Sequence, residues 1–168
     1  MKLILETDRL LLREFELSDG PLYYELNADP EVLRYTGDVP FSSPEAAVDF
    51  LRHYNHYAQY GYGRWTVISR ETGELLGWCG LKYLPEVDEV DLGYRFFQKH
   101  WRKGYATEAG KASVQYGLEV LGLSFIVGRA MKGNIGSIRV LEKCGMTYWK
   151  DFMFEGHPSV YYRIPALT

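Results

Sequence analysis

Cysteine is scarce in this chain. Only Cys79 and Cys144 occur in 168 residues, and neither belongs to a C-x-x-C pair or another ligand spacing. That count argues against a disulfide framework and against a zinc site, and leaves two thiols that read as buried side chains. Long apolar runs are missing as well: none approaches the ~20 residues of a membrane span. The opening MKLILETDRLLLREF puts acids where a secretion signal needs uninterrupted apolar residues, so the cytoplasm is the expected compartment. There is no excess of positive charge. With 19 Lys and Arg against 22 Asp and Glu, the formal net charge is −3, which argues against a nucleic-acid partner. Neither G-x-x-x-x-G-K-[ST] nor G-x-G-x-x-G occurs, and there is no internal repeat or low-complexity tract.

What the chain has is ordinary globular material, 46% hydrophobic and 24% charged, enough for one domain over residues 1–168. Strand-like residues 9–15 lead to a helix start at Ser18-Asp19. A second helix opens at Ser43-Pro44-Glu45 and carries Val48, Leu51, Tyr54 and Ala58 at helical spacing until Gly61 and Gly63 interrupt it. Strands follow at 65–69, 75–84 and 87–97, the first two joined by a turn at Glu71-Thr72-Gly73. After Gly104 the order becomes helix to about Leu121, strand 124–130, helix 135–143 and two closing strands near 148–154 and 160–164. The pattern predicts an α/β domain with a mixed sheet.

The most informative stretch is DLGYRFFQKHWRKGYATEAGKASVQY, Asp91 to Tyr116. A strand there meets a basic, Gly-containing turn and then a helix. The first turn of that helix leaves backbone N–H groups without partners at the positive end of the macrodipole, a place for an anion. Gly104 lets the backbone approach closely, and Arg102 and Lys103 add charge; taken alone, the turn is also a plain strand-to-helix connection. Glu89 and Asp91 share strand parity with Gly93, so both carboxylates project from one face, where they serve as proton acceptors or as solvated strand residues. Asn134 and Ser137 suit helix capping as well as ligand contact. Aromatic side chains crowd one segment: Tyr23, Tyr24, Tyr35, Tyr54, Tyr57, Tyr60, Tyr62 and Trp65. Two or three of these are expected to line a site, the others to pack. His53 and His56 lack a further ligand, so no metal is expected.

In that stretch and in three further segments the chain resembles the GCN5-related N-acetyltransferases, in particular the branch of ribosomal-protein N-terminal acetyltransferases. Asn134 to Met146, NIGSIRVLEKCGM, resembles that branch's N-x-x-S-x-x-x-L-E-K-x-G-F segment, with Met146 in place of Phe. Glu6 to Arg13 resembles its first strand, and Asp29-Pro30-Glu31-Val32 its entry to a second helix. Trp101 to Ala106 resembles the R/Q-x-x-G-x-G/A turn, with Trp101 where Arg or Gln is usual.

The resemblance implies a single-domain mixed, mostly antiparallel sheet of six to seven strands flanked by about four helices and splayed between its fourth strand, here 89–97, and its fifth. Acetyl-CoA as co-substrate is implied, with no metal. Its pantetheine arm would lie along fourth-strand backbone that includes Phe96, its pyrophosphate on Arg102, Lys103, Gly104, Tyr105, Ala106 and Thr107, and the Asn134 amide would hold the arm. The family's acidic tyrosine falls at Leu141, which cannot donate. Ser137 is then the implied donor and Asp91 the implied base. The implied acceptor is a primary amine, a protein N-terminus or a small molecule, and an α-amino group, with reference pKa ~7.7–8.0, needs less help from a base than a lysine at ~10.4. A monomer or homodimer is expected. The competing reading is a non-catalytic acyl-CoA-binding or sensor domain.

Overall fold

The computed structural model describes residues 1–167. Its strands are β1 (Leu3–Glu6), β2 (Leu10–Arg13), β3 (Arg64–Ser69), β4 (Leu75–Leu84), β5 (Glu89–Phe96), β6 (Phe125–Met131), β7 (Thr147–Phe154) and β8 (His157–Pro165). They form one sheet in the order β1-β2-β3-β4-β5-β6-β8-β7, antiparallel everywhere except at the β5–β6 pair. The eighth strand, beyond the six or seven expected, is β1, which folds back on β2 after Glu6. Four helices of two turns or more flank the sheet: α1 (Gly20–Leu26), α3 (Pro44–Arg52), α5 (Tyr105–Gln115) and α6 (Ile135–Lys143). Two single turns, α2 (Pro30–Leu33) and α4 (His56–Tyr60), join them. No helix among the described residues is long and apolar enough to cross a membrane.

Local chemistry explains most boundaries and corrects three expectations. Ser43 accepts the Ala46 N–H and Pro44 occupies the first turn, so α3 starts where the sequence indicates. It ends at Arg52 instead of running to Ala58, and Asn55 opens the separate turn α4. Asp19 stands at the start of α1 but does not bond that helix's amides; its carboxylate accepts the Glu16 N–H at 3.0 Å, closing a capping box on the short turn Leu17–Asp19. It is buried, and binds Arg13 through bonds of 2.7 and 2.9 Å. The helix after Gly104 is α-helical only to Gln115, and residues Tyr116–Val120 widen into a π turn.

Two apolar clusters hold the sheet from opposite faces. Leu12, Trp65, Leu81, Ile126 and Leu141 belong to the one under α5 and α6, and Tyr23, Leu26 and Leu51 to the one under α1 and α3. Burial of such side chains contributes roughly 1.5–3 kcal/mol each. Gly110 fixes the α5–α6 crossing, because a Cβ there would lie 2.8 Å from Cys144 Sγ.

What positions the site is the middle of the sheet. β5 and β6 pair only at Asp91–Val127 and Leu92–Gly128, then part. Phe97 N–H bonds Leu76 O across β4, so by alternation the backbone groups of Tyr94 and Phe96 face the gap instead. The expected splay is there, between the fifth and sixth strands once β1 is counted.

Candidate active site

One arm of the gap ends at the basic turn. Arg102 and Gly104 both adopt positive φ, 62° and 80°, which turns the chain sharply from β5 into α5. For Gly104 this is free, whereas an L-residue such as Arg102 is strained there, the kind of outlier found where a loop must present its backbone. Glu108 N–H is the first taken up within α5, by Gly104 O at 3.0 Å. Among the described residues no acceptor is paired with the amides of Arg102 to Thr107, so the donors of all six predicted residues are free. A phosphate fits that environment.

Arg9, which sequence reasoning passed over, straps this turn in place. It donates to Glu108 Oε1 at 2.7 Å and to Lys103 O at 2.8 Å, and lies over the Tyr105 ring. Thr7 Oγ donates to Glu108 Oε2. Burial alone would raise the Glu108 carboxyl, but the bonds from Thr7 and Arg9 outweigh it and hold the group below the usual carboxylate range. Trp101, the departure from the motif, also has a local function: its indole N–H donates to Phe96 O at 2.9 Å. Phe96 therefore keeps only its N–H for the gap, and its side chain is buried in the core.

The middle of the gap joins β5 to α6. Asn134 accepts the Ser137 N–H at 3.2 Å as a helix cap, which leaves its amide NH2 to donate into the cleft it lines. Ser137 Oγ lies 2.6 Å from Tyr94 Oη. Tyr94 also donates toward Ser137 O at 3.2 Å, and burial pushes its phenol far above the ordinary range, so it stays protonated and available as a donor. Leu141, buried and packed on Gly128, has no polar part in this arrangement. Nothing local in the sequence marks Tyr94, whose partner lies 43 residues away.

The other arm is a side-chain construction. Asp91 Oδ2 accepts from Arg64 Nη2 at 2.9 Å, and Asp91 Oδ1 lies 3.5 Å from Arg129 Nε. Arg64 Nη1 is held further by Asp91 O and Gly80 O, at 2.7 and 2.8 Å. Gly93 makes this possible: a Cβ there would lie 2.4 Å from Arg64 Nη2. The aromatic cluster supports the same arginine. Tyr54 Oη accepts the Arg64 N–H at 2.8 Å, and Tyr57 Oη donates to Arg64 O. Of the eight aromatic residues singled out, only Tyr35 lines the cleft, and the tyrosines that grip Arg64 do so from behind. The cleft is open to solvent, with Asp91, Arg129, Asn134 and Ser137 on one lining. Glu89, the second carboxylate, is buried with Oε1 unpartnered and lies outside that lining.

Both thiols are shut away. Burial raises Cys79 to about 12 and Cys144 to about 11, so neither is a nucleophile at neutral pH. Among the described residues no three His, Cys, Asp or Glu side chains are grouped to hold a metal.

A sheet parted to admit an extended arm, with free amides at one end and a carboxylate between arginines beyond the other, suits an acyltransferase fed by a phosphorylated carrier. Residues 9–147 match the model of the acetyltransferase (GNAT) domain, and the chain belongs to that family, whose members are acetyl-CoA-dependent N-acetyltransferases. It is 35% identical over 144 residues to the uncharacterized N-acetyltransferase YoaA of Bacillus subtilis, covering 84% of this chain and 81% of that protein. The FsC-acetyl coenzyme A-N(2)-transacetylase of Aspergillus fumigatus is 30% identical over 158 residues, 88% of this chain and 66% of its own. In fold, the chain superposes on RimL, a ribosomal-protein alpha-N-acetyltransferase solved with coenzyme A, at a TM-score of 0.82, 16% identity and 98% coverage of each chain.

Proposed function

We propose that this single domain transfers an acetyl group directly from acetyl-CoA to a primary amine while both are bound. The observation that carries the reading is the gap itself: the backbone of Tyr94 turned away from β4, the Tyr94–Ser137 hydroxyl pair and Asp91 share one lining, and the unpaired amides of Arg102 to Thr107 follow the C-terminal end of β5. The Arg102–Thr107 amides would hold the pyrophosphate, with Arg102 and Lys103 beside it, and the Asn134 amide would hold the pantetheine arm. Acetyl-CoA supplies an activated thioester acyl group. Aminolysis needs a neutral amine and a stabilised leaving thiolate. Asp91 is the proton acceptor that the cleft offers, directly or through water. If Tyr94 donates to Ser137 Oγ, the serine hydroxyl is left to donate to the departing sulfur, whose reference pKa of ~8.5 asks little of an acid.

A binding-only reading has one observation in its favour: both Asp91 oxygens already face guanidinium groups. Release of free CoA separates the two. The transferase reading expects release that requires an amine and yields an N-acetylated product of the correct mass. Stabilisation by acetyl-CoA without amine-dependent release across peptides, polyamines, amino acids and aminoglycosides would establish the binding module instead.

A further inference from the structure

Three arginines line the cleft, and in two of them both terminal nitrogens already serve protein acceptors. Arg64 gives Nη1 to Gly80 O and Asp91 O, and Nη2 to Asp91 Oδ2. Arg95 gives Nη1 to Asn27 and Nη2 to Asp38, each at 2.7 Å. Arg129 differs. Its ion-pair partner is Asp91 Oδ1, 3.5 Å from Nε, and among the described residues neither terminal nitrogen donates a hydrogen bond. Its guanidinium stands over the rings of Phe152 and Tyr161, at 6.0 and 5.9 Å from their centroids. Counted with Asp38, which pairs with Arg95, the cleft carries three positive charges and two negative ones in a chain whose net charge is −3.

Resting on the transferase reading above, we infer that the acceptor is an α-amino acid or close relative whose free carboxylate is held by Arg129 while its amine lies at Asp91. The terminal nitrogens of Arg129 form a fork suited to a carboxylate, and charge-assisted pairs of this kind are the stronger hydrogen bonds. In an α-amino acid the amine and the carboxylate flank a single carbon, so the short Arg129–Asp91 separation matches a zwitterion of that size. Long ω-amines and peptide N-termini place no carboxylate there. In the reaction the amine nitrogen bonds the acetyl carbon as the thioester C–S bond breaks. The amine gives up its protons to Asp91 or water, and the thiolate leaves beside the Tyr94–Ser137 hydroxyls and is protonated to the thiol. The products are an N-acetylamino acid and CoA.

The test compares each of a panel of amino acids with its amide and its decarboxylated amine, by CoA release and by calorimetric binding to the protein with and without CoA. We expect kcat/KM for the carboxylate form to exceed that of its amide at least about tenfold. Arg129→Met should collapse the ratio mainly through KM and abolish calorimetric binding, and Arg129→Lys should keep part of both. Amides or amines that match the amino acids, or a ratio untouched by Arg129→Met, would overturn the inference. Carboxylate-dependent binding without any turnover would support the site and refute the transferase reading; neither binding nor turnover of any amino acid would refute the site alone if peptides or polyamines are acetylated.

Discussion

The cofactor arm of this cleft is made of backbone, and the acceptor arm of side chains drawn from distant strands. In the first, six consecutive amides are left without acceptors where a glycine and a strained arginine turn the chain at the start of a helix. In the second, Arg64, Asp91 and Arg129 come from β3, β5 and β6 and meet only when the sheet forms. A backbone site tolerates exchange of side chains, as Trp101 does in place of the motif's usual Arg or Gln, whereas a side-chain site can be retuned one residue at a time. The contrast suggests an enzyme whose donor is fixed by the fold and whose acceptor is set by a few substitutions.

The sharpest way to break this contrast is to remove the shared carboxylate. Asp91→Ala strands Arg64 and Arg129, and one-sided loss of a buried ion pair costs about 3–5 kcal/mol. Urea melts should show that loss; a change under about 1 kcal/mol, the scale of a surface pair, would mean that Asp91 does not organise the acceptor arm. Tyr94→Phe comes next. It removes a donor beside the leaving sulfur, and kcat should fall about tenfold or more with KM for acetyl-CoA unchanged. A normal kcat would remove Tyr94 from the chemistry.

The cofactor arm should answer to backbone changes. Gly104→Ala puts an L-residue at φ +80° with its Cβ 3.3 Å from Arg9 Nη2. The left-handed strain of about 1–2 kcal/mol should appear as a KM for acetyl-CoA raised about tenfold, with kcat little altered at saturation. Arg9→Ala, which loosens the strap without touching the amides, should cost about 1 kcal/mol and a few-fold in the same KM. If Arg9→Ala weakens acetyl-CoA binding more than Gly104→Ala does, the arm depends on side chains after all.

The difference between the arms also explains what could be read from the residues alone. The strand–turn–helix over Asp91 to Tyr116 is contiguous, so its glycine, its small helix face and its unpaired amides follow from local rules. The capping of α6 by Asn134 is local too. Contacts made across the sheet are not: Arg64 and Asp91 are 27 residues apart, Arg9 and Glu108 are 99 apart, and nothing in the periodicity of either partner marks the pair. Which of the eight aromatic residues line the cleft was not legible, because composition cannot tell a ring facing a cleft from a hydroxyl gripping a backbone. The break between α3 and α4 was hidden because Tyr54 and Ala58 keep helical spacing across it.

The smallest expected effect concerns that break. His56 bonds Tyr62 O through Nδ1 and accepts the Tyr83 N–H at Nε2, at 3.0 Å, which fixes it as the neutral imidazole. Burial lowers its pKa below 6.5 in the folded protein, so its contribution is complete above pH 6.5 and is lost as pH falls through that value toward the folded pKa. Melting temperature should therefore drop below pH 6.5, and the slope should be shallower in His56→Phe. Some slope should persist through His100, which burial shifts in the same direction. An unchanged slope in His56→Phe would show that α4 is not pinned through this ring.

The central claim is direct transfer in a cleft that holds both partners at once. Initial rates of CoA release, measured over a grid of acetyl-CoA and acceptor concentrations, test it most directly. Double-reciprocal lines that intersect, with no acetyl adduct on the intact protein by mass spectrometry, are the predicted result; parallel lines accompanied by an acetylated enzyme would contradict it.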